Sequence, residues 1–184
     1  YENSRWTPGG GLCGLDLNTG SATYLVPELS VGVVNRFDIS YDAKKIVFDY
    51  KRAADAGYRI YEVGVDGTGL QQLTFPVENE EELVRNYGSP GYHHGTDDLH
   101  PCYLPNGDIV FVSTRCQYGI LCNAGDVYTT KVLYRMDADG GNLRPLSNSP
   151  VSEASPAMLP DGRILYHRWE YVDKAAGNLK CLWS

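Results

Sequence analysis

His100-Pro-Cys-Tyr-Leu-Pro-Asn-Gly-Asp-Ile-Val-Phe111 recurs in this chain with recognisable variation. An earlier copy reads Phe37-Asp-Ile-Ser-Tyr-Asp-Ala-Lys-Lys-Ile-Val-Phe48, and a later one Ser155-Pro-Ala-Met-Leu-Pro-Asp-Gly-Arg-Ile-Leu-Tyr166. Each joins a short extended segment to a tight polar turn and a β-rich run. In Pro105-Asn106-Gly107 and Pro160-Asp161-Gly162 the Pro presets φ, and the Gly accepts the positive φ that closes a hairpin. The runs that follow predict strands over residues 46–52, 109–115 and 164–170.

A second segment repeats behind the first. Ile60-Tyr-Glu-Val-Gly-Val-Asp-Gly-Thr-Gly-Leu-Gln-Gln-Leu-Thr74 matches Leu133-Tyr-Arg-Met-Asp-Ala-Asp-Gly-Gly-Asn-Leu-Arg-Pro-Leu-Ser147 position by position. Each reads as two strands joined by an Asp-Gly turn. Leu12-Cys-Gly-Leu-Asp-Leu-Asn-Thr-Gly20 reads as the outer half of a preceding unit, and Leu182-Trp183 falls where Ile60-Tyr61 and Leu133-Tyr134 fall.

Four short strands per unit, repeated, predict an all-β fold, a β-propeller of four-stranded blades. The competing architecture is a β-sandwich. The anchors Ile46, Ile109 and Ile164 lie 63 and 55 residues apart (109 − 46 and 164 − 109). That exceeds the ~40–50 residues of common propeller repeats, so loop insertions are expected. The count is about two whole blades plus two part-blades, where a closed ring takes roughly four to eight. Residues 1–184 are therefore expected to form a single section of a larger propeller, whose open sheet edges favour association.

Composition agrees. Twenty Gly, ten Pro and fourteen Tyr against four Phe favour turns and strands. The net charge of −7 argues against nucleic acid or an anionic membrane surface as partner. No apolar run reaches the ~18–20 residues of a membrane span. The expected partners are a protein, or the remaining blades of the parent chain.

Leu104-Pro-Asn-Gly-Asp-Ile-Val-Phe111, Leu159-Pro-Asp-Gly-Arg-Ile-Leu-Tyr166 and Leu133-Tyr-Arg-Met-Asp-Ala-Asp-Gly140 resemble the PD40 (WD40-like, TolB-type) propeller repeat. Val112-Ser-Thr-Arg-Cys116, Asp137-Ala-Asp-Gly140 and Arg168-Trp-Glu-Tyr-Val-Asp173 are similar to the propeller of hydrazine synthase alpha-subunit-like proteins. In that group the propeller accompanies c-type haem segments marked by Cys-x-x-Cys-His. This sequence has no such motif, so haem is not attached within this chain, and hydrazine synthesis is not implied. The same resemblance makes Cys102 a candidate ligand for a metal near the propeller.

The hairpin turns are tight and share one face, whereas the long loops, 76–98 and 116–131, share the other. Long loops on a rigid scaffold commonly carry function. The decorated face is expected to collect His93, His94, Asp97, Asp98, His100 and Cys102, whose side chains are all zinc-compatible in type. Their spacing matches no standard zinc motif, and a solvated polar loop is the other reading. Cys116 and Cys122 flank a loop that a disulfide can close in an exported, periplasmic or equivalent compartment; two buried thiols are the alternative. Arg115, Arg168 and Glu170, at the ends of second strands, form either a ligand-binding face or ion pairs between blades. Glu78-Asn-Glu-Glu-Glu-Leu83 reads as a solvated loop or one helical turn.

No nucleophile elbow, phosphate-binding loop or dinucleotide fingerprint occurs, so catalytic residues stay unassigned. The leading functional expectation is a propeller scaffold that binds a protein partner or ligand through its long-loop face. The alternatives are a section of a metal- or haem-dependent redox enzyme with its cofactor segments elsewhere, and the propeller of a hydrolase.

Overall fold

A computed structural model describes residues 6–87, 95–117, 129–170 and 179–184. Its strands fall into four antiparallel sheets in chain order. The first pairs β1 (Cys13–Leu15) with β2 (Ala22–Tyr24). The second is β3 (Val33–Ile39), β4 (Lys45–Lys51), β5 (Arg59–Gly64) and β6 (Gln71–Gln72), and the third is β7 (Asp98–Tyr103), β8 (Ile109–Ser113), β9 (Val132–Met136) and β10 (Arg144–Pro145). The fourth joins β11 (Glu153–Met158), β12 (Ile164–Glu170) and β13 (Leu179–Trp183). Two sheets are thus complete four-stranded blades and two are part-blades, as the repeat predicts. The one α-helix among the described residues, α1 (Glu80–Tyr87), runs for two turns where the acidic run predicts at most one.

The register shows how far the copies correspond. Phe48 pairs with Tyr61, Phe111 with Tyr134, and Tyr166 with Trp183. One detail departs from the sequence alignment. In the later blades the first turn closes by Leu104 N–H to Asp108 O and Leu159 N–H to Arg163 O; in the earlier blade Ser40 N–H reaches Lys45 O, one residue further. The first strands therefore shift by one, and His100 corresponds to Arg36 rather than Phe37. His100 and Ser155 sit in the bulges that interrupt β7 and β11, both at positive φ.

The blades pack face to face, so the second strands of the two whole blades, β4 and β8, are buried on both sides and alternate between neighbours. Val47 joins Ile60, Ile109, Phe111 and Met136 in the core between the two whole blades. Ile46 and Phe48 turn the other way, towards Leu12 and Val26 of the preceding part-blade. Val110 and Val112 pack towards Ile164 and Tyr166 of the blade that follows. Full burial of each such side chain stabilises by ~1.5–3 kcal/mol before entropy is counted.

Polar seams repeat as well. Asp98 N–H donates to Tyr58 O, and Glu153 N–H to Lys131 O, so the first strand of each blade is tied to the third strand of the one before. Within blades, Thr74 Oγ accepts from Ile60 N–H and Ser147 Oγ from Leu133 N–H, each at 2.9 Å. These hydroxyls end the two copies of the second repeat, which gives that alignment a structural reason.

Candidate functional site

The expected His/Asp/Cys loop is largely a strand. β7 begins at Asp98, and Asp97, Asp98, His100 and Cys102 are all buried. Asp97 accepts from Tyr58 N–H at 2.8 Å. Asp98 is fully enclosed and receives the Arg115 guanidinium in a fork, Nε to Oδ1 at 2.8 Å and Nη2 to Oδ2 at 2.6 Å, with Ser113 Oγ on the same Oδ1. Arg115 also donates to Phe75 O. A two-pronged, desolvated pair of this kind fixes geometry strongly, and here it holds β7, β8 and the long loop together. Arg115 therefore serves as an ion-pairing residue.

His100 and Cys102 lie on the wall formed by the three first strands β3, β7 and β11, which border a groove of about 350 Å3. His100 N–H donates to Asp49 Oδ2 at 2.8 Å, and its Nδ1 accepts from Ser155 N–H at 3.1 Å. Asp49 also receives Arg36 N–H; burial pushes its carboxyl up, and the N–H groups of His100 and Arg36 partly offset this. Cys102 takes the place that Asp38 holds one blade earlier. Tyr103 N–H donates to Asp38 Oδ2 at 2.8 Å, and Met158 N–H is directed at Cys102 in the same way. Burial and the neighbouring Asp38 carboxylate push the Cys102 thiol up to about 11. Among the described residues no three His, Cys, Asp or Glu side chains converge as a metal site; the four described candidates are engaged in seams between and within blades. His93 and His94 lie outside the described residues.

Arg168 and Glu170 pair with each other along β12, Nε to Oε1 at 2.8 Å, and the Arg168 guanidinium lies 4.4 Å from the Trp183 ring centroid. Cys116 is half-buried, its Sγ 3.5 Å from Thr130 O. Its expected partner Cys122 lies outside the described residues.

The long-loop face holds a cleft that single-residue reading did not find. It measures about 660 Å3 and lies between the β4–β5 loop and α1, walled by Tyr50, Tyr61, Phe75 and Val84. Its frame is built. Arg59 donates to Tyr58 O and Thr96 O and pairs with Glu80 at 2.6 Å; Thr96 Oγ donates to the other Glu80 oxygen at 2.5 Å. Gly57 packs so closely against Thr96 O that a side chain there would collide with the backbone. Tyr61 O–H donates to Gln72 at 2.8 Å, which fixes one wall. Asn79 and Gln117, one from each insertion, exchange two amide hydrogen bonds at 3.1 and 3.3 Å. Nothing in the repeat marks Arg59 and Glu80, because each stands in one blade only and they are 21 residues apart.

No protein-family model matches the chain, and no curated protein matches it in sequence. Solved structures do. TolB from Acinetobacter baumannii superposes with a TM-score of 0.54 at 16% identity, covering 91% of this chain and 33% of its own. An oligogalacturonate lyase in complex with manganese gives 0.55 at 16% identity, over 94% and 44%. The fold is a TolB-like β-propeller. Hydrazine synthase from Kuenenia stuttgartiensis also matches, at a TM-score of 0.43 and 16% identity, over 89% and 32%; the fold reading rests on the other two. The chain spans between about a third and under half the length of these structures. No helix among the described residues is long and apolar enough to cross a membrane.

Proposed function

We propose that this propeller section is a binding scaffold that engages a protein partner or a ligand through its long-loop face. The observation that carries this reading is the cleft between the β4–β5 loop and α1. Its apolar walls include Phe75, which is 59% exposed, and its frame is held by the buried Arg59–Glu80 pair and by Arg115 on Phe75 O. A largely preformed concavity with apolar walls and a few placed polar groups is the usual form of a binding site. Among the described residues the opposite face carries short hairpin turns.

The test places a benzophenone side chain at Phe75 of the full-length protein and irradiates it in the cells that make it. A discrete adduct at Phe75, read by intact mass, is expected, with none from the same group at Tyr41 beside the first hairpin turn. Labelling at Tyr41 alone, equal labelling at both, or none at either overturns the reading.

A further inference from the structure

We infer that the Arg52 guanidinium anchors the carboxylate of a ligand that carries an apolar group beside that carboxylate, seated in the long-loop cleft. The inference rests on the binding-scaffold reading and names the chemistry of the occupant.

The repeat supplies an internal control. By strand register Arg52 stands where Arg115 stands in the next blade, both two residues beyond equivalent positions, Tyr50 and Ser113. Arg115 has a built-in partner, because Asp98 lies opposite Ser113 on the first strand. In the blade of Arg52 the residue opposite Tyr50 is Val34. The carboxylate is missing from that position, and a bulky phenol replaces the Ser113 hydroxyl. Arg52 is accordingly exposed, makes no ion pair among the described residues, and lines the cleft beside Tyr61. Burial raises the Tyr61 hydroxyl, and Arg52 and Arg59 draw it back down, which agrees with that placement. Arg59, the other guanidinium of the cleft, is already paired with Glu80. Arg52 is thus the one cleft cation among the described residues left for an incoming anion.

Charge and shape narrow the anion. A guanidinium presents a planar fork that matches two carboxylate oxygens, as Arg115 shows at the corresponding position. Asp55, Glu80 and Glu81 border the same cleft, so a doubly charged phosphate meets more repulsion than a carboxylate does. Tyr50, Tyr61, Phe75 and Val84 offer apolar surface next to the guanidinium, and about 660 Å3 is within the range of small organic ligands. Such a group can belong to a free small acid or to the C-terminal residue of a chain.

Isothermal titration of the full-length protein with phenylacetate and with N-acetyl-Gly-Gly-Leu, each as free acid and as carboxamide, separates these sources. At least one free acid is expected to bind, its carboxamide at least ~10-fold more weakly. Arg52→Ala is expected to weaken the acid by at least ~10-fold, and Arg52→Lys by less, because a point charge replaces the fork. Lys44→Ala, on the hairpin-turn face, is expected to change nothing. Arg52 is exposed and unpaired, so its replacement leaves the fold intact, which circular dichroism verifies. Preference for phenylacetate assigns a small acid, and preference for the tripeptide assigns a chain end. Binding by neither acid, equal binding of the carboxamide, or wild-type affinity in Arg52→Ala overturns the inference. An adduct at Phe75 with any of those results removes the Arg52 anchor and leaves the scaffold standing.

Discussion

A Cβ placed on Gly140 would stand 2.6 Å from the carbonyl oxygen of Leu73, in the blade before it. Gly67 repeats the relationship against Leu25 at 2.5 Å. Both glycines have positive φ, so each answers two demands: the Asp-Gly turn that closes its own hairpin, and the close seat of that turn on the neighbouring blade.

The two demands separate by mutation. Gly107 also has positive φ, but its nearest neighbour, the Ala138 methyl, is 4.0 Å away. Gly107→Ala is expected to lower stability by only ~1–2 kcal/mol, the strain of a left-handed alanine. Gly140→Ala adds a backbone collision and is expected to lose ~3 kcal/mol or more. Urea unfolding of the full-length protein measures both; equal losses would remove the close approach as a source of stability.

Asp98 is fully enclosed and Arg115 largely so, which leaves the carboxylate no solvent to fall back on. Asp98→Ala is expected to destabilise by ~3–5 kcal/mol, the usual result of stranding one buried charge. Arg115→Ala removes the Phe75 anchor too, and is expected to raise amide exchange along residues 73–80 while β8 stays protected. A double-mutant cycle with both residues gives the coupling, and a coupling near zero would contradict the fork seen here.

Cys102 gives the protein an alkaline weakness. Burial and Asp38 push its thiol from 9.0 to about 11, so across that window the native state keeps a proton that the unfolded chain has lost. Stability therefore falls as pH rises from about 9 to about 11. Cys102→Ala is expected to flatten that fall, measured as the shift in guanidinium midpoint between pH 8 and pH 10.5. Below pH 8 the exposed Cys13 and Cys181 are expected to react with a thiol reagent long before Cys102 does.

Much of the architecture was legible in the sequence, because it is carried by local chemistry that repeats. Pro105-Asn106-Gly107 and Asp139-Gly140 mark turns, Ile46, Ile109 and Ile164 mark second strands, and Trp183 pairs where Tyr61 and Tyr134 pair. The extra residue between Ser40 and Lys45 was not legible, since Ala43 adopts a positive φ where the other copies have Gly. The site was harder. Asp98 read as a loop carboxylate, and Arg115 as either a ligand contact or an ion-pairing residue with no named partner, because their pairing is a property of adjoining strands rather than of either motif. Arg52 carried no signal alone; its meaning comes from Val34 opposite Tyr50, visible only once the register is known.

Arg168 lies over Trp183 while its Nε holds Glu170. At this partial exposure the cation–π contact is expected to contribute only ~0.5–1 kcal/mol. Arg168→Ala is expected to alter the Trp183 emission while leaving the unfolding midpoint within a few degrees. An unchanged spectrum would place the guanidinium elsewhere in solution.

The bonds that reach the first strands bear on how neighbouring blades meet. Asp49 reaches His100, and His100 reaches Ser155, each link joining one blade to the next near the axis. Such links set the wedge angle between neighbours, and the angles of all the blades must add to a full circle. The angle at which neighbouring blades meet thus answers to these short polar contacts as well as to the apolar cores between the sheets. A carboxylate makes one of these joints and an imidazole the next, so neighbouring pairs of blades need not meet at the same angle.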